Sequence, residues 1–143
     1  EAEESFEAGE ELKIISDQVY FDSIADFEQT YQLDAFSFES DQLTLVELYE
    51  TDHMFTGKTL RSNYLDQNGG AINVTEEWYT GDGSSTGSNS EYQEHTVLDG
   101  RTMLYTIDAV DGSFNGVVLL DNTILRIYAD ANVSLDFIWQ LLD

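Results

Sequence analysis

The sequence predicts an α+β domain: a curved antiparallel sheet of about six to seven strands, with an N-terminal and a C-terminal helix packed on one face. Three observations predict it. The middle of the chain alternates apolar and polar residues with the period of a strand, the two ends place apolar residues at helical spacing, and clusters of Gly, Asn, Asp and Ser punctuate the runs between. With 143 residues, 41% of them hydrophobic, there is enough apolar material for one domain to bury a core rather than stay disordered.

Residues 1–19 read as an acidic linker or tail and residues 20–143 as the single domain. "EAEESFEAGEELK" is acidic and weakly apolar, and "IISDQVYF" after it suits a short extended lead-in. In "DSIADFEQTYQL", Asp22 or Ser23 caps a helix, and Ser23 with Asp26 has capping-box spacing. Ile24, Phe27 and Tyr31 fall on the side by which that helix docks.

The period then changes. In "QLTLVELYE", Leu43, Leu45 and Tyr49 take one face of a strand, and Thr44, Val46 and Leu48 the other. "KTLRSNYL" is the next strand. In "AINVTEEWY", Ile72, Val74 and Trp78 alternate against Asn73, Thr75 and Glu77, as in a half-buried strand with one solvated face. Glu76 interrupts the apolar side near the strand's end. "TGDGSSTGSNSE", Thr80 to Glu91, is a Gly/Ser-rich surface loop. Further strands cover about Glu94–Leu98, Arg101–Ala109 and Gly116–Leu120, and "ILRIYA" follows. Asp121-Asn122 suits a two-residue hairpin turn because both residues tolerate positive φ. The chain ends in a helix capped by Asn132 or Ser134, with Leu135, Ile138, Trp139 and Leu142 forming one stripe.

The charge is extreme. There are 29 acidic residues against 5 basic ones, a formal net charge of -24. Nucleic acid is a poor partner for such a surface, because phosphate binding needs clustered Lys and Arg, and anionic lipid is disfavoured likewise. The surface reads first as a solvating one, and second as a partner for cations or a basic protein. No apolar run is long enough to span a membrane, so this chain inserts in none. It begins at Glu1 without Met, which reads as a trimmed or processed product and leaves room for an upstream anchor or signal. Cysteine and proline are both absent, which excludes disulfides, thiolate metal sites and cysteine nucleophiles.

No motif for chemistry survives its context. "DQNGGAINVTEE" places Asp66, Asn68 and Glu77 at the first, third and twelfth positions of a calcium loop. Gly70 and Ala71 occupy its fifth and sixth, where a ligand and a Gly belong, and the flanks read as strands. "QNGG" is therefore a hairpin turn. "GSSTG" around Ser85 matches a serine-hydrolase pattern but lacks the strand before and the helix after. His53 and His95 have no metal-ligand spacing and read as surface or strand residues. With so many acids, a carboxylate pair at glycosidase spacing carries no information, and "DAVDGSFNG" reads first as a turn. No catalytic, cofactor or metal residue is assigned. Most aromatics belong to the core, and Trp78, Tyr105 and Tyr128 are the candidates to line a ligand groove.

The second half, "HTVLDGRTMLYTIDAVDGSFNGVVLLDNTILRIYADANVSLDFIWQLLD", resembles the ending of the extracytoplasmic domains called domain of unknown function 4367. "VLDGRTMLY" and "ILRIYADANVSLDFIWQLL" supply the matching parts, and "FDSIADFEQTYQL" matches the opening helix. The chain departs from that pattern in having no proline after the first helix and "GVVLLDN" where a late-strand Trp is expected. The resemblance implies a bacterial cell-envelope domain, often attached to a lipoprotein, a membrane-anchored protein or an anti-sigma-like protein, and it brings no catalytic residues. The function expected is thus non-enzymatic binding or sensing outside the cytoplasm, with an unidentified protein or small molecule as partner. The alternatives are a carrier holding an apolar or lipid-like ligand in the concavity of the sheet, a small hydrolase, and a calcium-stabilised surface module.

Overall fold

The computed structural model describes residues 18–53, 57–78 and 92–143. The element order is β1 (Gln18–Tyr20), α1 (Ile24–Tyr31), β2 (Leu43–His53), β3 (Gly57–Asp66), β4 (Ala71–Trp78), β5 (Gln93–Val97), β6 (Arg101–Ile107), β7 (Phe114–Leu119), β8 (Thr123–Ala129) and α2 (Leu135–Leu141). Thus the described residues are mostly antiparallel sheet with two helices. Among them are eight strands rather than six to seven, in the order β1-β2-β3-β4-β8-β7-β6-β5. The added strand is β1, which starts at Gln18, inside the segment expected to be a tail. Its register on β2 is Gln18↔Thr51 to Tyr20↔Tyr49.

Two meanders, β1 to β4 and β5 to β8, are sewn together by β4 against β8, from Ile72↔Ala129 to Trp78↔Thr123. Because side chains alternate along each strand, this register fixes which residues share a face. Leu60, Glu76, Leu125 and Val118 lie in one transverse row, and Tyr64, Ile72, Ala129 and Phe114 in another. All of them are buried. One face of the sheet is therefore apolar from β3 to β7.

Both helices start as their sequences dictate. The Ser23 hydroxyl accepts from the Asp26 N–H and the Ser134 hydroxyl from the Phe137 N–H, so each Ser satisfies a backbone donor that the first turn leaves unpaired. Gln32 ends α1 in the left-handed region at φ 56°, donating its N–H to the Glu28 carbonyl. Phe27 is wholly buried and clusters with Leu48 and Leu60, with Ile24, Tyr31 and Trp78 against them. Trp139 of α2 meets Tyr105 and Phe114 edge-on, and its indole lies 3.7 Å from the His95 ring, face to face.

Two local expectations need correction. The register of β2 on β3 shifts between Leu45 and Glu47. Val46 is the extra residue of a bulge and is exposed. The bulge reverses the phase, so Leu48 turns into the core and Tyr49 leaves the face that Leu43 and Leu45 occupy. The second correction concerns positive φ. The Asp121-Asn122 hairpin closes through Leu120 N–H to the Thr123 carbonyl, with neither residue at positive φ. Left-handed backbone sits instead in the β5–β6 turn, at Leu98, Asp99 and Gly100. There Leu98 is held by its N–H to the Leu142 carbonyl and by Arg101 on its own carbonyl.

Candidate functional site

The "QNGG" stretch is a hairpin. Asp66 N–H donates to the Gly70 carbonyl, and one Asp66 carboxylate oxygen accepts from the N–H groups of Asn68 and Gly70. Gly69 supplies the left-handed residue at φ 83°. Glu77 is at the other end of β4, roughly 20 Å along the strand at about 3.3 Å per residue. It faces Arg126, with Oε1 3.6 Å from Nε, so Asp66, Asn68 and Glu77 do not converge. Among the described residues, no three His, Asp or Glu side chains are grouped to hold a metal.

Nor do the three groove candidates meet. Tyr105 is buried in the core beside Phe114 and Trp139. Trp78 packs on Phe27, with ring centroids 5.5 Å apart. Tyr128 lies on the opposite face of the sheet, level with Asn73 and Asn115. Ser85 and the Thr80–Glu91 loop lie outside the described residues, as do the residue 1–17 tail and the His53 side chain. The His95 imidazole is committed to its stack on Trp139.

Two concavities bear on function. One is a cleft of ≈ 730 Å³ where β4 ends and β8 begins, bordered by Phe36, Trp78, Leu98, Arg101 and the buried Glu76. Both carboxylate oxygens of Glu76 are engaged: Oε1 accepts from the Phe36 N–H at 2.7 Å and Oε2 from the Thr123 hydroxyl at 2.8 Å. Burial pushes the carboxyl above its usual range; the two hydrogen bonds oppose that, and the charge of Glu28 adds to it. Sequence reading noticed Glu76 as a break in the apolar pattern. The break is a structural tether, in which the sheet grips the segment leaving α1.

The other concavity, ≈ 510 Å³, is on the sheet face opposite Leu60, Glu76 and Leu125. Arg61, Thr75 and Arg126 form one row across β3, β4 and β8. Asn73, Tyr128 and Asn115 form the next row across β4, β8 and β7. All six line the cavity. The positions on β4 are the polar half of its alternation, with Asn73 and Thr75 turned away from the core that Ile72 and Val74 enter.

The cations make this face distinctive. Of the chain's five basic residues, Lys58 is bound to the buried Glu50 and Arg101 to Asp121, while Lys13 lies outside the described residues. The other two, Arg61 and Arg126, share this one cavity. Arg126 meets Glu77 at 3.6 Å, Nε to Oε1, and Arg61 makes no ion pair among the described residues. Sequence reading missed Arg61, Arg126, Asn73 and Asn115 as a set. The available signal was the rarity of arginine in so acidic a chain, joined to its placement at solvated strand positions.

No family model matches this chain, and no curated protein or solved structure shows significant similarity to it.

Proposed function

We propose that this chain is a non-enzymatic binding or sensing domain working outside the cytoplasm, at a bacterial cell envelope, with its ligand on the sheet face that Arg61 and Arg126 share. In this reading both helices cover the other face of a curved sheet, leaving this one to the ligand. The envelope setting rests on the resemblance of the second half to the domain 4367 family. The binding surface rests on a single observation: in a chain of net charge -24, two of five basic residues face one cavity beside amides and a tyrosine. A concave site with a few convergent polar groups is the usual form of a small-molecule site. The engaged oxygens of Glu76 weigh against its use in hydrolysis, because both already accept structural hydrogen bonds.

A melting-temperature screen tests this. The chain is heated with a panel of envelope-derived sugars, short peptides and small carboxylates, alongside the Arg61→Ala/Arg126→Ala double variant. A ligand at a hundred times its Kd adds about 2.7 kcal/mol of stability. The reading requires a compound that stabilises the parent chain and not the double variant. Stabilisation that persists in the variant moves the site elsewhere, and turnover of any panel compound makes the protein an enzyme.

A further inference from the structure

Resting on that reading of the open face, we infer that its ligand is an acidic sugar: a hydroxyl-rich molecule whose single carboxylate sits on Arg61. The inference has three parts, taken from three kinds of residue in the same cavity.

The first is charge. Arg61 and Arg126 flank Thr75 on neighbouring strands, so their Cα atoms stand about 9–10 Å apart, two strand spacings. Arg61 makes no ion pair among the described residues, and Arg126 meets Glu77 at 3.6 Å, Nε to Oε1, longer than a good hydrogen bond. A guanidinium with free N–H groups is a fork that matches a planar carboxylate with two parallel hydrogen bonds. A phosphate would also suit the fork. The field of the whole molecule decides between them, since a net charge of -24 penalises a dianion more heavily than a monoanion.

The second is the neutral row beside the arginines. Asn73 and Asn115 flank Tyr128, and Thr75 adjoins them. An amide side chain offers a donor and an acceptor together, and so does each hydroxyl of a sugar. A purely anionic ligand would need further cations where this cavity has amides. The third part is Tyr128 itself, half-buried between the two amides, with Tyr92 also on the lining. Tyrosine gives an apolar surface for the C–H face of a sugar ring and a hydroxyl at its edge.

The same field limits ligand length. A polyanion brings further charges within reach of the acidic surface, where salt screens repulsion only beyond about 8–10 Å. A free short acid, or the end of a chain, therefore binds better than a polymer's interior.

Calorimetry with the full chain tests the assignment, using monomeric galacturonate, which carries one carboxylate, as probe. Its methyl ester keeps every hydroxyl and removes the charge, and polygalacturonate supplies the polymer. We expect stoichiometric binding of galacturonate, weakened at least tenfold by esterification, by Arg61→Ala and by Tyr128→Ala. Arg61→Lys should fall between, since an ammonium keeps the charge and loses the fork. Polygalacturonate should bind more weakly per site at low salt, with the gap narrowing as salt is added. Unchanged melting temperatures of the variants exclude misfolding as the cause of any loss. The side-chain amide signals of Asn73 and Asn115 should shift with the same saturation curve. Absence of binding, or equal binding of acid and ester, or no effect of Arg61→Ala, overturns the acidic-sugar assignment. If the screened compounds still depend on Arg61 and Arg126, the open face survives as the binding surface with a different ligand; if nothing depends on them, both readings fall.

Discussion

Glu76 on β4 holds the Phe36 N–H at 2.7 Å, across forty positions of sequence. The carboxylate lies on the buried face, in a row with Leu60 and Leu125. An ionised carboxyl there is costly, and this one persists because the Phe36 N–H and the Thr123 hydroxyl satisfy it. In return it anchors the segment joining α1 to β2. A second buried carboxylate, Glu50, does the same for α1 itself by accepting from the Tyr31 hydroxyl at 3.1 Å, with Lys58 3.3 Å away.

The Glu76 tether makes stability depend on pH in a definite sense. Burial raises its pKa above the ordinary 4.5. Between that value and the folded-state one, the native chain holds a proton that the unfolded chain releases. Stability from this group therefore falls as pH rises through that window and is regained on acidification. Glu76→Gln should remove this dependence and stabilise the domain at pH 7, since an amide can still accept from Phe36 and can donate to the Thr123 oxygen. Glu76→Leu should destabilise by about 1–3 kcal/mol, leaving the Phe36 N–H unpaired. Urea melts of the three proteins from pH 4.5 to 7.5 compare them. A steeper pH dependence in the Gln variant would contradict the assignment.

What the sequence revealed and what it hid divide by range. The caps at Ser23 and Ser134 and the alternation of "AINVTEEW" are set by neighbours a few positions apart, and a pattern carries them. The bulge at Val46 adds one residue without changing composition, so the alternation of "QLTLVELYE" continues on paper while the chain reverses its faces. β1 is three residues long and too short to show a period. The candidate site depends on the pairing of β4 with β8, residues some fifty positions apart. Only that register brings Arg61 and Arg126 to either side of Thr75. The aromatics chosen for a groove fail for the same reason: their strand faces were unknown relative to one another, and Trp78 and Tyr105 ended in the core clusters.

The hairpin after β3 separates two uses of glycine. Gly69 has φ 83° with open space where a Cβ would stand, so only its backbone conformation matters. Gly69→Ala should cost about 1–2 kcal/mol, and Gly69→Asn less, because Asn tolerates the left-handed region. At Gly70 a Cβ would meet Val133 Cγ2 at 2.7 Å and the Asp66 carboxylate at 3.0 Å. Gly70→Ala should cost about 1–3 kcal/mol by overpacking, and Gly70→Asn no less. Chemical unfolding of the four variants measures this. Rescue by Asn at position 70 would show that the loop shifts freely and that the contact is not limiting.

The Trp139 indole ties α2 to three strands, with Tyr105 and Phe114 edge-on at 5.0 and 5.7 Å and His95 stacked beneath. Trp139→Ala removes all three contacts and opens a void in the larger core. A loss of about 3–5 kcal/mol is expected, toward the lower end because the side chain is only half-buried. Trp139→Phe should recover much of it, by keeping an aromatic ring against Tyr105 and Phe114. Guanidinium unfolding monitored by far-ultraviolet circular dichroism provides the comparison. A loss below about 1 kcal/mol for the Ala variant would mean that α2 is held by Ile138 and Leu142 alone, contrary to the usual cost of removing a core aromatic.

The charge sets the last prediction. With 29 acidic residues and 5 basic ones, most carboxylates have no cation to pair with, and folding brings them closer together. Repulsion across the native surface exceeds that in the expanded unfolded chain, and salt screens it over a Debye length of about 8–10 Å. Added sodium chloride at pH 7 should therefore raise the melting temperature, and potassium chloride should do so equally, because screening depends on ionic strength and not on the ion. Acidification from neutrality should act in the same direction, through fewer surface charges and through the raised pKa of Glu76. The ion pairs act oppositely but are few: Lys58 with Glu50, Arg101 with Asp121 and Arg126 with Glu77 among the described residues. The last two are each partly exposed, worth about 0–1 kcal/mol, and weakened by the same salt. A melting temperature that falls with salt would mean that these pairs outweigh the repulsion. A rise with sodium that potassium does not reproduce would point to bound sodium instead of screening.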